Sequence, residues 1–314
     1  MSKKDEFRIE EVQSREIEEF VKSSRRLYTN GMVKIWPPGC TLFTEYKNHV
    51  ERVRQLEVRP DDVWIITYPK CGTTWTQEMT WLLLNNLDFN TAKNIRLIER
   101  SPFMEFACFV SRDEKVTSID DTLTQTQNLE SPRCIKSHLP KQLLPKQLWT
   151  VKPKIIYVTR EPKDVAASYY HHHRLLYGYT GSWEQFVNAF TGSYEFWKIR
   201  NEENVLITSF EEMKKNLPAV IKSVAKFLDR TLSPEQLEQL CDHLSFDSMK
   251  NNPAVTMESE MALFDNSHLG GKVQPFIRKG QVGGWKSEFT PELAQKIDKW
   301  TADNLKGKDY LHQH

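Results

Sequence analysis

Lys70, Thr73 and Thr74 stand with one glycine in Tyr68-Pro-Lys-Cys-Gly-Thr-Thr-Trp75. Such a set can hold an anion: the ammonium supplies charge, the hydroxyls donate hydrogen bonds, and the glycine lets the backbone turn tightly. The apolar run Val63-Trp-Ile-Ile66 precedes the segment, and the helix-like Gln77-Glu-Met-Thr-Trp-Leu-Leu-Leu84 follows it. A strand, a turn and a helix N-terminus are therefore expected. Unpaired backbone N–H groups and the positive end of the helix dipole then face the occupant, a phosphate-like group. A nucleotide-kinase loop reads G-x-x-x-x-G-K-[ST], with lysine after the second glycine. Here Lys70 precedes Gly72 and Trp75 follows the threonines, which weakens that reading. A ligand-free turn capped by glycine and threonine accounts for the same residues.

Three later segments carry compatible chemistry. Lys154-Ile-Ile-Tyr-Val-Thr159 reads as a second buried strand, followed by Arg160-Glu-Pro-Lys-Asp164 and the helix-like Val165–Tyr170. Pro162 suits a first helical turn. Arg160 and Ser168 are placed to grip a second anionic group. Arg278-Lys-Gly280 with Gly283-Gly-Trp-Lys286 gives adjacent cations and glycines through which the backbone can close on phosphate. Arg133-Cys-Ile-Lys-Ser-His-Leu-Pro140 puts Lys136 and His138 at the end of a short apolar run.

Taken in order, Tyr68–Trp75, Lys136–Pro140, Arg160–Ser168 and Arg278–Lys286 resemble the signature segments of the cytosolic sulfotransferases, which use 3′-phosphoadenosine 5′-phosphosulfate (PAPS). The resemblance runs from about Pro38 to the end and includes Ser101–Glu105, Ser209–Lys214 and Ser245–Pro253. It implies that Lys70, Cys71, Gly72, Thr73, Thr74 and Trp75 cradle the 5′-phosphosulfate, with Lys70 on the bridging-oxygen side. It implies that Arg160, Ser168, Arg278, Lys279 and Gly280 hold the 3′-phosphate. Trp75, Phe210 and Phe246 match positions around the adenine. His138 matches the catalytic base and Lys136 a lysine that stabilises the transferring group. Xenobiotic or hormone conjugation in the cytoplasm is the implied setting.

The chemistry asks for such a set. Sulfuryl transfer, like phosphoryl transfer, passes through a loose in-line transition state with charge on equatorial oxygens. Fixed cations and N–H groups aimed there supply most of the stabilisation. A histidine with an ordinary pKa of about 6.5 suits removal of the acceptor's proton. The residues call for no metal. Alone, a histidine before Leu-Pro reads as a strand end satisfied by the backbone; the family pattern around His138 makes it the base. The triplet His171-His-His173 is expected to lie on a helix surface, with one member reaching an acceptor pocket. Consecutive helical residues point about 100° apart, so three neighbours cannot face one ion.

Several positions depart from the family. Cys71 replaces a usual serine and reads first as a passive substitute for it; the other reading is an oxidisable thiol with a lowered pKa, since it stands at a helix N-terminus beside lysine. Phe210 stands where many relatives have tyrosine, Leu244 where many have threonine, and Gly284 replaces a frequent acid. The short dimer motif is degenerate, with Lys286, Thr290, Pro291 and Gln295 at its positions, so a homodimer through it is doubtful.

The elements that must position these residues form an α/β fold, a single domain with a central parallel sheet flanked by helices and a P-loop-like phosphosulfate loop. Strands are expected at about 63–67, 133–136, 154–159 and 204–208, with both anion sites after strand C-termini, where open sheets bind ligands. Ser233-Pro-Glu-Gln236 is a capping-box start, with Leu237, Leu240, Cys241 and Leu244 as its buried stripe. Leu293, Ile297 and Trp300 give the last helix an apolar face. Residues 1–37 read as a charged N-terminal segment and 38–314 as the sulfotransferase domain. The 314 residues carry a formal charge of +1, without the basic excess of a nucleic-acid binder. Five cysteines without a C-x-x-C pair fit a reducing cytoplasm. The charged N-terminus is no signal peptide, and no apolar run approaches the roughly 20 residues of a membrane span.

Phe103, Met104, Phe106, Tyr169, Tyr170 and Tyr177, with His172, are candidates for an aromatic acceptor pocket, ordinary core being the competing reading. Val255–Gln274 looks like a long lid. Three functions remain: a PAPS-dependent transferase acting on a small hydrophobic phenol, catechol, steroid, alcohol or amine; a P-loop phosphotransferase; and a non-catalytic nucleotide- or ligand-binding relative. Some similar family members use sulfation of an alcohol to drive its dehydration.

Overall fold

The computed structural model describes residues 7–24, 30–108, 121–189, 199–256 and 275–306. Four parallel strands, β4 (Val63–Thr67), β5 (Cys134–Ser137), β6 (Lys154–Thr159) and β7 (Val205–Ser209), form a sheet in the order β5-β4-β6-β7. β4, β6 and β7 are rich in β-branched, apolar residues, as a sheet covered on both faces requires, while the short edge strand β5 reads Cys-Ile-Lys-Ser. Side chains alternate: Trp64, Ile66, Ile135 and Ile155 join one buried cluster, Val63, Ile65, Cys134 and Ile156 the other. The second cluster is closed by the helices Thr73–Leu84 and Leu217–Phe227, through Met79, Leu82, Ile221 and Val224. All four strands lie within a residue or so of their expected positions.

The first cluster is closed differently. An antiparallel sheet of β1 (Arg8–Glu11), β2 (Met32–Trp36) and β3 (Cys40–Phe43) contributes Val33 and Ile35, joined by Phe20 from the helix Arg15–Lys22. The expected division after residue 37 thus falls in the turn between two paired strands, and residues on both sides of it share one core. The charge of residues 7–24 hides this, because β1 is exposed along its length and the helix buries only Phe20.

The capping box at Ser233 forms as expected, with Gln236 answering Ser233 and Leu240 and Leu244 buried. Thr290 and Pro291 serve as N-cap and first residue of the last helix, Pro291–Leu305, whose Ile297 is buried. Of the expected lid, residues 257–274 lie outside the described residues.

Candidate active site

β4 ends at Thr67, and the following loop runs into the helix at Thr73. Gly72 is the helix N-cap with φ of 99°, and a Cβ there would come within 2.9 Å of Met213 Cε. Only glycine accepts both conditions. Lys70 is also left-handed, at φ 70°, a conformation that costs an L-residue roughly 1–2 kcal/mol. Its Nζ lies 3.4 Å from His172 Nδ1 and 4.7 Å from the centre of the Phe276 ring. Burial, then the neighbouring Lys136 charge, lowers the Lys70 pKa to about 7.

Thr67 links this loop to the next strand end. Its hydroxyl is 2.7 Å from Thr73 Oγ1 and 3.1 Å from His138 Nδ1. His138 Nδ1 is also 2.9 Å from the Thr67 carbonyl oxygen. A carbonyl only accepts, so Nδ1 carries the proton and Nε2 keeps the lone pair. Burial, and then the Lys136 charge, holds the imidazole well below its usual pKa of 6.5. The residue is therefore neutral at pH 7, a base in waiting. Behind it, the fully buried Glu105 accepts the His138 backbone N–H at 2.6 Å and the Ser137 hydroxyl at 3.1 Å. Burial pushes that carboxyl up to about 7. Lys136 sits 4.2 Å over the Phe103 ring, and burial lowers its pKa to about 8.

A second cationic corner forms where β6 ends. Arg160 Nη1 donates to the Lys70 carbonyl at 3.0 Å, and Nη2 to the Gln281 carbonyl at 3.1 Å. One guanidinium thus ties the first loop to the C-terminal segment. Asp164, buried in the first turn of the helix Pro162–Leu176, accepts the N–H groups of Gly283 at 2.6 Å and Trp285 at 3.0 Å. Arg278 lies close enough to Arg160 for the two charges to repel, and Lys279 lines the same cavity. Gly280, at φ 56°, lies so close to Phe246 that a Cβ would come within 2.5 Å of the ring. Trp75 meets Phe210 edge-on with centroids 5.9 Å apart, and Lys214 Nζ lies 5.9 Å from the Trp75 ring.

One cavity of about 800 Å³ joins these corners. It is lined by Lys70, Gly72, Thr73, Thr74, Trp75, Lys136, His138, Arg160, Ser168, Phe210, Phe246 and Arg278–Gly280. Two buried donors on it, Arg160 Nε and Trp75 Nε1, have no hydrogen-bond partner among the described residues. Unpaired buried donors beside clustered cations fit an anionic, heteroatom-rich nucleotide.

Of the two readings of Cys71, the structure favours the passive serine substitute: its side chain is buried outside the cavity lining, and burial pushes its pKa up to about 12. Desolvation outweighs the helix terminus here, so the thiol is passive. Among the acceptor candidates, Phe103, Phe106, Tyr169, His172 and Tyr177 line the cavity. Tyr170 does not. It stacks on Trp183 at 4.1 Å, in the core, because helical rotation turns it away from Tyr169 and His172. Met104 is likewise fully buried core. The histidine triplet is not a helix surface: His171 meets Glu288, His172 meets Lys70, and His173 is buried against the Tyr169 carbonyl. No three metal-ligating residues cluster among the described residues. Sequence reasoning missed Thr67, Phe276, Asp164 and Glu288. Asp164 carries a weak signal, an acid in a first helical turn; Glu288 reaches partners too far along the chain for any local one.

The sequence matches the family described as "Sulfotransferase domain" over residues 60–309. It is 38% identical to the luciferin sulfotransferase of Photinus pyralis, across 90% of this chain and 82% of that one. It is 36% identical to sulfotransferase 1 family member D1 of Mus musculus, across 83% and 88%. Among solved structures, retinol dehydratase in complex with androsterone and the inactive cofactor PAP superposes with a TM-score of 0.84 at 28% identity, covering 98% of both chains. The same protein is also known in a complex with retinol and PAP.

Proposed function

This chain belongs to the sulfotransferase family, and from that premise we propose that it moves a sulfuryl group from PAPS to the hydroxyl or amine of a small hydrophobic acceptor. The observation that carries this reading is the neutral His138, proton fixed on Nδ1, set between Lys70 and Lys136 on a cavity with a cationic far corner. PAPS supplies the activated sulfuryl group. The loop from Lys70 to Trp75 would hold its 5′ end, with Arg160, Ser168 and Arg278–Gly280 on the 3′-phosphate and Trp75, Phe210 and Phe246 around the base. His138 Nε2 accepts the acceptor's proton, while the Lys70 and Lys136 ammoniums offset charge on the transferring oxygens. Glu105 and Thr67 hold the imidazole at backbone and ring. Phe103, Phe106, Tyr169 and Tyr177 give the acceptor side an aromatic lining, which suits a phenol, catechol, steroid or polyene alcohol. The androsterone and retinol complexes of the similar dehydratase support that class. The five free cysteines support a reducing, cytoplasmic setting.

The test is a metal-free transfer assay with radiolabelled PAPS against phenols, catechols, steroids and alcohols. Label in an organic sulfate is the expected result. Loss of the alcohol with release of free sulfate would add dehydration. Magnesium-dependent transfer from ATP instead would establish a phosphotransferase. Tight binding of 3′,5′-ADP without transfer to any acceptor would favour a sequestering protein.

A further inference from the structure

The two cations expected on the donor's 3′-phosphate already have an acid of this chain between them. Glu288 Oε1 accepts from Arg278 Nη1 at 2.7 Å and from Lys279 Nζ at 2.8 Å. Its other oxygen, Oε2, lies 2.5 Å from His171 Nε2. The carboxylate is only 12% exposed. Its backbone is held too: the Glu288 N–H donates to the Trp285 carbonyl at 2.9 Å, within the turn that Asp164 pins. The acid is thus a fixed part of the corner and not a wandering surface chain.

We propose that Glu288 is a specificity-determining counter-charge, which sets how strongly this corner prefers a 3′-phosphorylated nucleotide over one without that phosphate. The inference rests on the donor reading above. A carboxylate and a phosphate draw on the same N–H donors. Arg278 has five and can serve both, whereas Lys279 has three on one nitrogen and must divide them. The two anions also repel at short range, in a partly desolvated corner where screening is incomplete. Arg160, on the same corner, donates to two carbonyls, keeps Nε unpaired and has no carboxylate partner within hydrogen-bond distance among the described residues. Glu288 therefore subtracts from the cationic field at Arg278 and Lys279. The corner keeps enough charge to select the 3′-phosphate without holding the spent nucleotide so tightly that release stalls.

Calorimetric titration of the full chain and Glu288→Gln with 3′,5′-ADP and 5′-AMP, at pH 7.5 and low salt, tests this. The Gln variant should bind 3′,5′-ADP on the order of twofold to fivefold more tightly, the size of one partly screened charge contact, with 5′-AMP unchanged. The gain should shrink in high salt. Glu288→Asp, which keeps the charge, should stay near the parent selectivity. Glu288→Ser is a second neutral variant should Gln fail to fold. Equal or weaker binding of 3′,5′-ADP by the folded neutral variants would overturn the proposal and make Glu288 a scaffold for Arg278. A shift of both nucleotides by one factor would overturn it too. If the parent protein itself does not prefer 3′,5′-ADP to 5′-AMP, the donor reading falls and this inference with it.

Discussion

Raising the pH from 7 to 8.5 should discharge the donor loop before any fold-wide change occurs. Burial and mutual repulsion lower Lys70 to about 7 and burial lowers Lys136 to about 8. A lysine loses its charge as pH rises through its pKa, so the free protein is the weaker anion binder on the alkaline side. At pH 7 Lys70 is about half charged and Lys136 about 90%; at pH 8.5 the figures are about 3% and about 25%. A bound polyanion should restore both ammoniums. Affinity for 3′,5′-ADP should then fall about sixtyfold across the window, and binding should take up about 0.6 proton at pH 7 and about 1.7 at pH 8.5. Calorimetry in two buffers of different ionisation enthalpy reads the protons directly. In Lys136→Met the uptake at pH 8.5 should drop towards one. An affinity flat across the window would refute the linkage. Uptake that grows as the pH is lowered below 7 would assign the protons to His138 and His172 instead.

Three further outcomes follow from the geometry. His138→Ala should lower the transfer rate at least about 100-fold, the usual scale of general-base catalysis, with 3′,5′-ADP affinity kept; single-turnover assay and calorimetry separate the two, and more than about a hundredth of the rate would remove the base assignment. Gly72→Ala must accept a left-handed backbone and a methyl against Met213; it should cost about 1–2 kcal/mol in urea unfolding, and 3′,5′-ADP binding should weaken, an unchanged Kd speaking against the cradle. A charged thiol reagent at pH 8 should label the half-buried Cys40 and Cys241 and spare the buried Cys71; mass spectrometry that finds Cys71 labelled as fast would contradict its burial.

The parallel sheet and the cation-bearing loops that follow its strands were legible because each is local: an apolar run, a glycine at a turn, a cation just past a strand end. Position along a helix was less so. Tyr169 and Tyr170 are equally aromatic, and only the rotation of the Pro162–Leu176 helix sends one to the cavity and the other onto Trp183. Cys71 fits the passive serine substitute, for a reason hidden from the sequence: the chain shows the helix terminus and the lysine that favour a thiolate, but not the depth of burial that overrides them. The N-terminal sheet was hidden by its own charge, since β1 exposes every residue and its contribution is backbone pairing with β2. Glu288 and His171, 117 positions apart, meet only through the fold.

Thr67 reaches His138 across 71 positions, Arg160 reaches Lys70 across 90 and Gln281 across 121. Pairings so remote in sequence form late and slowly during folding, since each closes a long loop before it is rewarded. A ligand that spans these corners needs both the loop after β4 and the segment near 280, which Arg160 ties together. Recovery of 3′,5′-ADP binding during refolding is therefore a clock for the last step of assembly. During synthesis the corner that includes Arg278 and Lys279 cannot form until residues near 280 have emerged.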